Sequence, residues 1–257
     1  MQMVSASKMR KAQQAALSGR PFVQLLYRIQ RAVAVRTVDF SHPLLQAREV
    51  RKRAIILIAA DKGLCGALNT NLFRMASQYH TETTLFIAAG RKAAQFVARS
   101  GRQLIAEFTY ADAPRFPEAR AIAAFARDLF IKGDVDQVLV MATRFINTLT
   151  LQPVCLPYLP VSEITEIQVP GVESGKGKAS TAQVLFEPST GAVLNYLLSH
   201  YLNIFIYQVL LNAKASEQSA RMVSMKNATE SAEGLIRDVT LEYNKLRQGN
   251  ITQELLE

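Results

Sequence analysis

The sequence predicts an α/β protein with a long helical rod attached. Three observations carry this. Short, continuous apolar runs alternate with amphipathic helical stretches in the middle of the chain. The last third holds a heptad register that never changes phase. No proline follows Pro188, so nothing of that kind breaks the C-terminal register. With 257 residues, 49% of them hydrophobic and 20% charged, the chain has enough apolar material for a sizeable core.

From the N-terminus, Val4, Met9, Ala12 and Ala16 are loosely helical in spacing. The small residues Ala12, Ala15 and Ala16 allow close approach of a partner helix. Ser18-Gly19-Arg20-Pro21 interrupts the pattern, and Phe22, Leu25, Leu26, Ile29, Ala32 and Val33 resume it as a clearer stripe. Pro21 suits either a restart at a first helical position or a kink.

The central region reads as strand–helix alternation. Residues 54–60 (AIILIAA) form an uninterrupted apolar run, as expected of a strand covered on both faces. A glycine-bearing turn and a helix over 69–79 follow. Residues 84–89 form a second strand, 91–99 a helix, 104–108 a third strand, 117–132 an amphipathic helix and 137–143 a fourth strand. Such alternation predicts a mostly parallel sheet. Residues 153–178 are rich in proline, glycine and polar side chains and read as an irregular connection, with an edge strand over 182–186.

The C-terminal register gives the rod. Alternating steps of three and four residues from Leu194 to Leu246 meet sixteen positions, thirteen of them apolar or aromatic, including Met222, Met225, Ile236, Val239, Tyr243 and Leu246. A strict 3.5-residue period implies left-handed supercoiling. Over this seam the helix would run roughly 80 Å at 1.5 Å per residue. No compact domain of this size buries a rod of that length. The second strand is either the N-terminal segment or another copy of the chain.

Residues 193–211 are long and uncharged enough to raise the question of a membrane span. Asn195, Ser199, His200, Asn203 and Gln208 would place polar groups at five depths, which favours a buried or paired helix.

Charge is unevenly spread. Residues 1–53 hold eleven Lys or Arg against Asp39 and Glu49, an excess equal to the net charge of the whole chain, +9. A basic segment calls for an acidic partner: nucleic acid, anionic membrane or protein. Two separated cysteines, Cys65 and Cys155, make no disulfide framework or metal cluster. The histidines 42, 80 and 200 have no ligand spacing, and no cofactor or metal is expected.

The sharpest local motif is Asp61-Lys-Gly-Leu-Cys-Gly-Ala-Leu-Asn-Thr-Asn71. It lacks the Lys-Ser/Thr of a phosphate loop and the third glycine of a dinucleotide fingerprint. Gly63-Leu-Cys65-Gly-Ala is compatible with a nucleophile elbow, with His200 as the base of a thiol-dependent α/β hydrolase carrying a helical oligomerisation arm. The plainer reading is a tight strand-to-helix turn capped by Asn69 or Asp61. Asp134 and Asp136 read as turn caps.

Three blocks resemble the gamma subunit of F-type ATP synthases: residues 1–13 (MQMVSASKMRKAQ), 61–73 (DKGLCGALNTNLF) and 216–257, which is in phase throughout. Residues 144–148 (RFINT) and 186–188 (FEP) add smaller matches in order. The resemblance implies an antiparallel coiled coil of the N- and C-terminal helices, residues 1–53 with 190–257, beside a Rossmann-like α/β domain over 54–189. It implies a non-catalytic rotor, peripheral to the cytoplasmic face of a bacterial plasma membrane. Its partners would be the alpha, beta and epsilon subunits and the ring of c subunits, with an acidic protein surface rather than nucleic acid meeting the basic segment. Contacts to the alpha–beta ring are implied for Lys8, Arg10, Lys11, Glu217, Arg221, Arg247, Gln248 and Thr252. Contacts to the c ring are implied for Phe186 and Glu187, next to Pro188. The family pattern also implies about twenty further helical residues before Met1, on the order of 30 Å of coil, and a short apolar tip after ITQELLE. The chloroplast type of thiol regulation is not expected.

Overall fold

The computed structural model describes residues 2–19, 42–161 and 190–257. The readings for 20–41, 165–180 and 182–188, including Phe186 and Glu187, lie outside these residues.

Five strands form one sheet in the order β3-β2-β1-β4-β5. They are β1 (Arg53–Ile58), β2 (Thr84–Ala89), β3 (Gln103–Phe108), β4 (Gln137–Phe145) and β5 (Leu151–Leu159). The first four are parallel, and β5 pairs antiparallel with β4. The helices are α1 (Gln2–Ser18), α2 (Leu68–Ser77), α3 (Arg91–Arg99), α4 (Phe116–Lys132) and α5 (Thr190–Leu256).

The unbroken apolar runs have a direct cause. Along β1, Ala54, Ile56 and Ile58 face one helical layer, and Ile55 and Leu57, with Ala59 just past the strand's end, face the other. Successive strand side chains point to opposite faces, so a sheet covered on both sides shows no alternation. One layer, with Leu72, Ala76, Ala93 and Val97, comes from α2 and α3. The other comes from α4, with Ile122, Ala126 and Phe130, and from α5, with Leu202, Ile206 and Leu210.

β5 corrects the reading of 153–178 as irregular. Pro153 and Pro157 lie in it, opposite Thr143 and Leu139 of β4. Proline removes a ladder donor, which an edge strand tolerates when that position faces away from its neighbour. The caps are also redistributed. Helix α2 starts after Ala67 with no side-chain cap. Asn69 instead accepts the Ala60 amide, and Asp61 accepts the amide of Arg91 at 3.0 Å, the first residue of α3. Gly90, at φ 100°, lets the chain turn between β2 and α3, where a Cβ would collide with the carbonyl oxygen of Ala59.

Residues 42–52 lie against the α/β unit. Leu44 is buried in its core, its carbonyl accepts the amide of Val161, and Asp136 holds the amides of Arg51 and Lys52.

Helix α5 has 67 residues, about 100 Å at 1.5 Å per residue. Its first third is embedded, with α1, α4 and β4 as main neighbours. The uncharged stretch is therefore a buried helix: Leu198, Tyr201, Leu202, residues 204–206 and 208–213 are covered by the chain itself. Gly19 lies against Gln208, while Lys8 approaches the cluster around Lys214, so α1 runs antiparallel to α5. At 1.5 Å per residue, α1 then reaches only to about the level of Met225.

Candidate functional site: the junction of shaft and globular unit

Where α5 crosses the carboxyl ends of β1 and β4, charged side chains from four segments meet. In doubly wound sheets this edge, at the reversal of strand order, is the usual ligand crevice. Here the chain's own helix fills it.

Lys214 of α5 is wholly buried, yet it bears an ammonium group. Its Nζ lies 3.0 Å from Glu217 Oε2, 3.6 Å from Asp61 Oδ2 and 3.7 Å from Asp112 Oδ1, and 4.8 Å from the centre of the Tyr110 ring. Asp61 belongs to the loop after β1, and Asp112 to the loop after β3. The other oxygen of Asp112 accepts from Lys8 of α1 at 2.6 Å. That bond, ahead of the nearby Lys214 charge, holds the Asp112 carboxyl below its ordinary range. The second oxygen of Glu217 accepts from Arg221 at 2.8 Å, and Arg221 also donates to the carbonyls of Lys62 and Gly63. Ser216 and Ser219 of α5 donate to the carbonyls of Thr143 and Thr148. Three cations and three carboxylates thus balance. Burial is tolerable because each of the deeply buried members has a charged partner.

Tyr110 beneath the cluster is buried, and its hydroxyl donates to Ala59 O at 3.0 Å. Burial pushes its pKa well above the ordinary value. Beside the cluster, a cavity of about 260 Å³ is lined by Cys65, Gly66, Asn71, Thr143, Leu149 and Ser224, among others. Leu64 at φ 63° and Gly66 at φ 57° bend the loop over the helix.

The hydrolase reading fails on geometry. Cys65 is buried, which pushes its thiol pKa up and outweighs the opposing pull of Arg221. Its loop meets α5 at Arg221, while His200 lies twenty-one residues away along the same helix, about 30 Å at 1.5 Å per residue. His200 instead neighbours the rings of Phe116 and Tyr196. Among the described residues, no group of His, Cys, Asp or Glu is arranged to hold a metal ion.

The residues implied as ring contacts divide in two. Arg10, Lys11, Arg247, Gln248 and Thr252 are exposed, and the Thr252 hydroxyl is turned back to Gln248 O. Lys8, Glu217 and Arg221 are engaged within the chain, and Glu217 faces the interior rather than outward. In the seam, Met222 and Met225 are half-buried near the end of α1. Ile236, Val239, Tyr243 and Leu246 are 62–66% exposed, so among the described residues the intramolecular seam stops short of them.

Lys214, Asp112 and Tyr110 are absent from the sequence-derived site residues. A signal was present: Lys214 is the first charge after a long uncharged run, and Glu217 and Arg221 follow at three and seven residues, on one helix face.

Comparison with known proteins settles the family. A protein-family model described as ATP synthase matches residues 1–257. The ATP synthase gamma chain of Opitutus terrae is 44% identical over all of this chain and 89% of its own length. The chain belongs to the ATP synthase gamma family. Gamma chains of Methylacidiphilum infernorum and Pelotomaculum thermopropionicum, 39% and 40% identical, align over the same shares. The fold is that of the family too. A chain in the central stalk and c-ring structure of the Tetrahymena thermophila mitochondrial ATP synthase superposes with a TM-score of 0.65 at 24% identity, covering 89% of this chain and 97% of that one. One in the Euglena gracilis mitochondrial enzyme gives 0.62 at 19% identity, covering 100% and 91%. As a gamma-family member, the chain is a non-catalytic central-stalk subunit of a membrane-associated complex. None of its described helices is long and apolar enough to cross a membrane.

Proposed function

We propose that the chain is the rotor that couples ion-driven rotation of a c-subunit ring to ATP synthesis or hydrolysis in beta subunits. The observation that carries this is the two-part character of α5. One part is locked into the α/β unit, and the other leaves it as a proline-free helix with an apolar stripe open to partners. A stiff helix fixed at one end transmits a twist to whatever encloses the other.

In this reading Arg10, Lys11, Arg247, Gln248 and Thr252 face the ring of alpha and beta subunits. Arginine suits such contacts because its planar fork holds carboxylates or carbonyls with two parallel bonds. Lys8, Glu217 and Arg221 serve the base of the shaft. Phe186 and Glu187 are assigned to the c ring by resemblance to the family's matching turn, with the epsilon subunit as a neighbour. The location is the cytoplasmic face of a bacterial plasma membrane. The test is reconstitution with alpha and beta subunits and c-ring membranes. The chain should co-purify with the ring and restore ATP-driven ion transport, and Arg247→Glu should reduce transport without unfolding the shaft. No association with alpha and beta subunits, or transport indifferent to the chain's presence, would reject the reading.

A further inference from the structure

We propose that Lys214 is a positioning residue: an electrostatic register lock that fixes the axial and rotational setting of α5 against the α/β unit. The mechanical side of this rests on the rotor reading above; the lock itself does not.

Apolar contacts alone set register poorly. The embedded face of α5 offers Leu202, Ile206, Val209, Leu210 and Ala213 to an equally apolar floor. Hydrophobic attraction is non-directional, so a shift by one helical turn, about 5.4 Å, exchanges one apolar contact for another. Packed helices are known to ratchet in such steps. A shaft under load would be exposed to the same slip.

A buried ammonium group behaves differently. Lys214 and its helix neighbour Glu217 meet the carboxylates of Asp61 and Asp112 in this setting alone. These two come from separate loops of the α/β unit, and Asp112 brings α1 in through Lys8. One turn away in either direction, the ammonium would keep Glu217, which travels with it on α5, but would lose Asp61 and Asp112, the two carboxylates that the α/β unit supplies. A buried charge that loses two of its three counter-charges, and an Asp61 that loses its cation, are both left under-compensated, which is unfavourable. The cluster therefore penalises every setting but one, while adding little net stability, because its Coulombic gain is offset by desolvation. Fixing register is the best-attested use of buried polar groups.

Lys214→Met separates register from stability. Methionine is similar in length, and the carboxylates left behind keep partners: Glu217 retains Arg221 at 2.8 Å, and Asp61 retains the Arg91 amide at 3.0 Å. The melting temperature should shift by no more than about 4 °C. Spin labels on Arg99→Cys, in the α/β unit, and Lys226→Cys, on α5, in a full-length chain with Cys65 and Cys155 replaced by alanine, read the setting directly. The chain that keeps Lys214 should give one distance, and the Lys214→Met background a second population displaced by about 5 Å. In the reconstituted complex, ions moved per ATP hydrolysed should fall severalfold. Asp112→Asn, half-exposed and safer for folding, should act in the same direction more weakly. A single unchanged distance in both variants overturns the lock. A second distance with an unchanged ion-to-ATP ratio overturns its part in coupling. Failure of the unsubstituted chain to assemble rejects the rotor reading instead, and leaves the distance result standing.

Discussion

Asp136 shows how one carboxylate fixes the entry to a sheet. Its Oδ2 accepts the amides of Arg51 and Lys52, both at 3.0 Å, just before β1 begins. Those two bonds favour the ionised form and hold its pKa below the ordinary value. A group whose folded pKa is depressed contributes stability that is complete above the unfolded pKa, near 3.9, and is lost as pH falls through the folded value. Asp136→Asn should therefore lower stability to urea at pH 7, and the gap to the unsubstituted chain should narrow below about pH 4. A gap that widens on acidification would contradict the assignment. Cys65 gives the second prediction at this scale. Buried and with a raised pKa, it should resist iodoacetamide at pH 8 in the folded chain and react promptly once urea unfolds it. Rapid native labelling would mean that the loop over α5 opens freely.

At the scale of elements, α4 illustrates what holds the α/β unit together. Phe130 is wholly buried, with the Arg48 guanidinium 4.9 Å from its ring centre and Arg48 Nη1 donating to its carbonyl. Phe130→Ala should cost about 3–5 kcal/mol in chemical denaturation, since the cavity adds to the lost transfer energy. A loss within about 0.5 kcal/mol, the range of ordinary surface changes, would place the ring outside the core. The central strands were legible in the sequence because burial on both faces writes itself as continuous apolar runs, as in 54–60 and 138–142. β5 was not, because Pro153 and Pro157 are breaker signals in a single strand and acceptable only through an edge position that the pairing reveals. The expected cap of α2 by Asn69 or Asp61 is not formed: Asn69 holds the Ala60 amide, and Asp61 reaches the first amide of α3 thirty residues on, a pairing of which sequence neighbourhood carries no trace. The Lys214 cluster needed the same long-range information, since Asp61 and Asp112 are far from it in the chain.

At the scale of the whole molecule, the difference between the two parts of α5 decides how it unfolds. Residues 198–219 are covered by α1, α4 and the sheet, with Leu210 wholly buried. From Lys226 onward the helix is exposed, and the ion pair of Lys226 with Glu230 at 3.8 Å is a surface contact. Surface pairs of this type contribute at most about 1 kcal/mol. Helical propensity alone gives marginal stability, because most helix stability in proteins comes from packing one face. A charge placed in the seam therefore has different consequences in the two parts. Leu210→Ala should cost about 2–5 kcal/mol in the isolated chain. Ile236→Asp, at 66% exposure, should stay within about 0.5 kcal/mol there. Amide exchange should show the same gradient: slow at 198–219, tracking global unfolding, and faster by orders of magnitude at 230–256, tracking local fraying. Adding alpha and beta subunits should slow exchange over 230–256 and make Ile236→Asp harmful, because a partner then covers the stripe. Uniform protection along α5 in the isolated chain would mean that a contact within the molecule already covers Ile236, Val239, Tyr243 and Leu246. Protection that does not rise when the subunits are added would remove this end of the helix from the shaft's bearing surface.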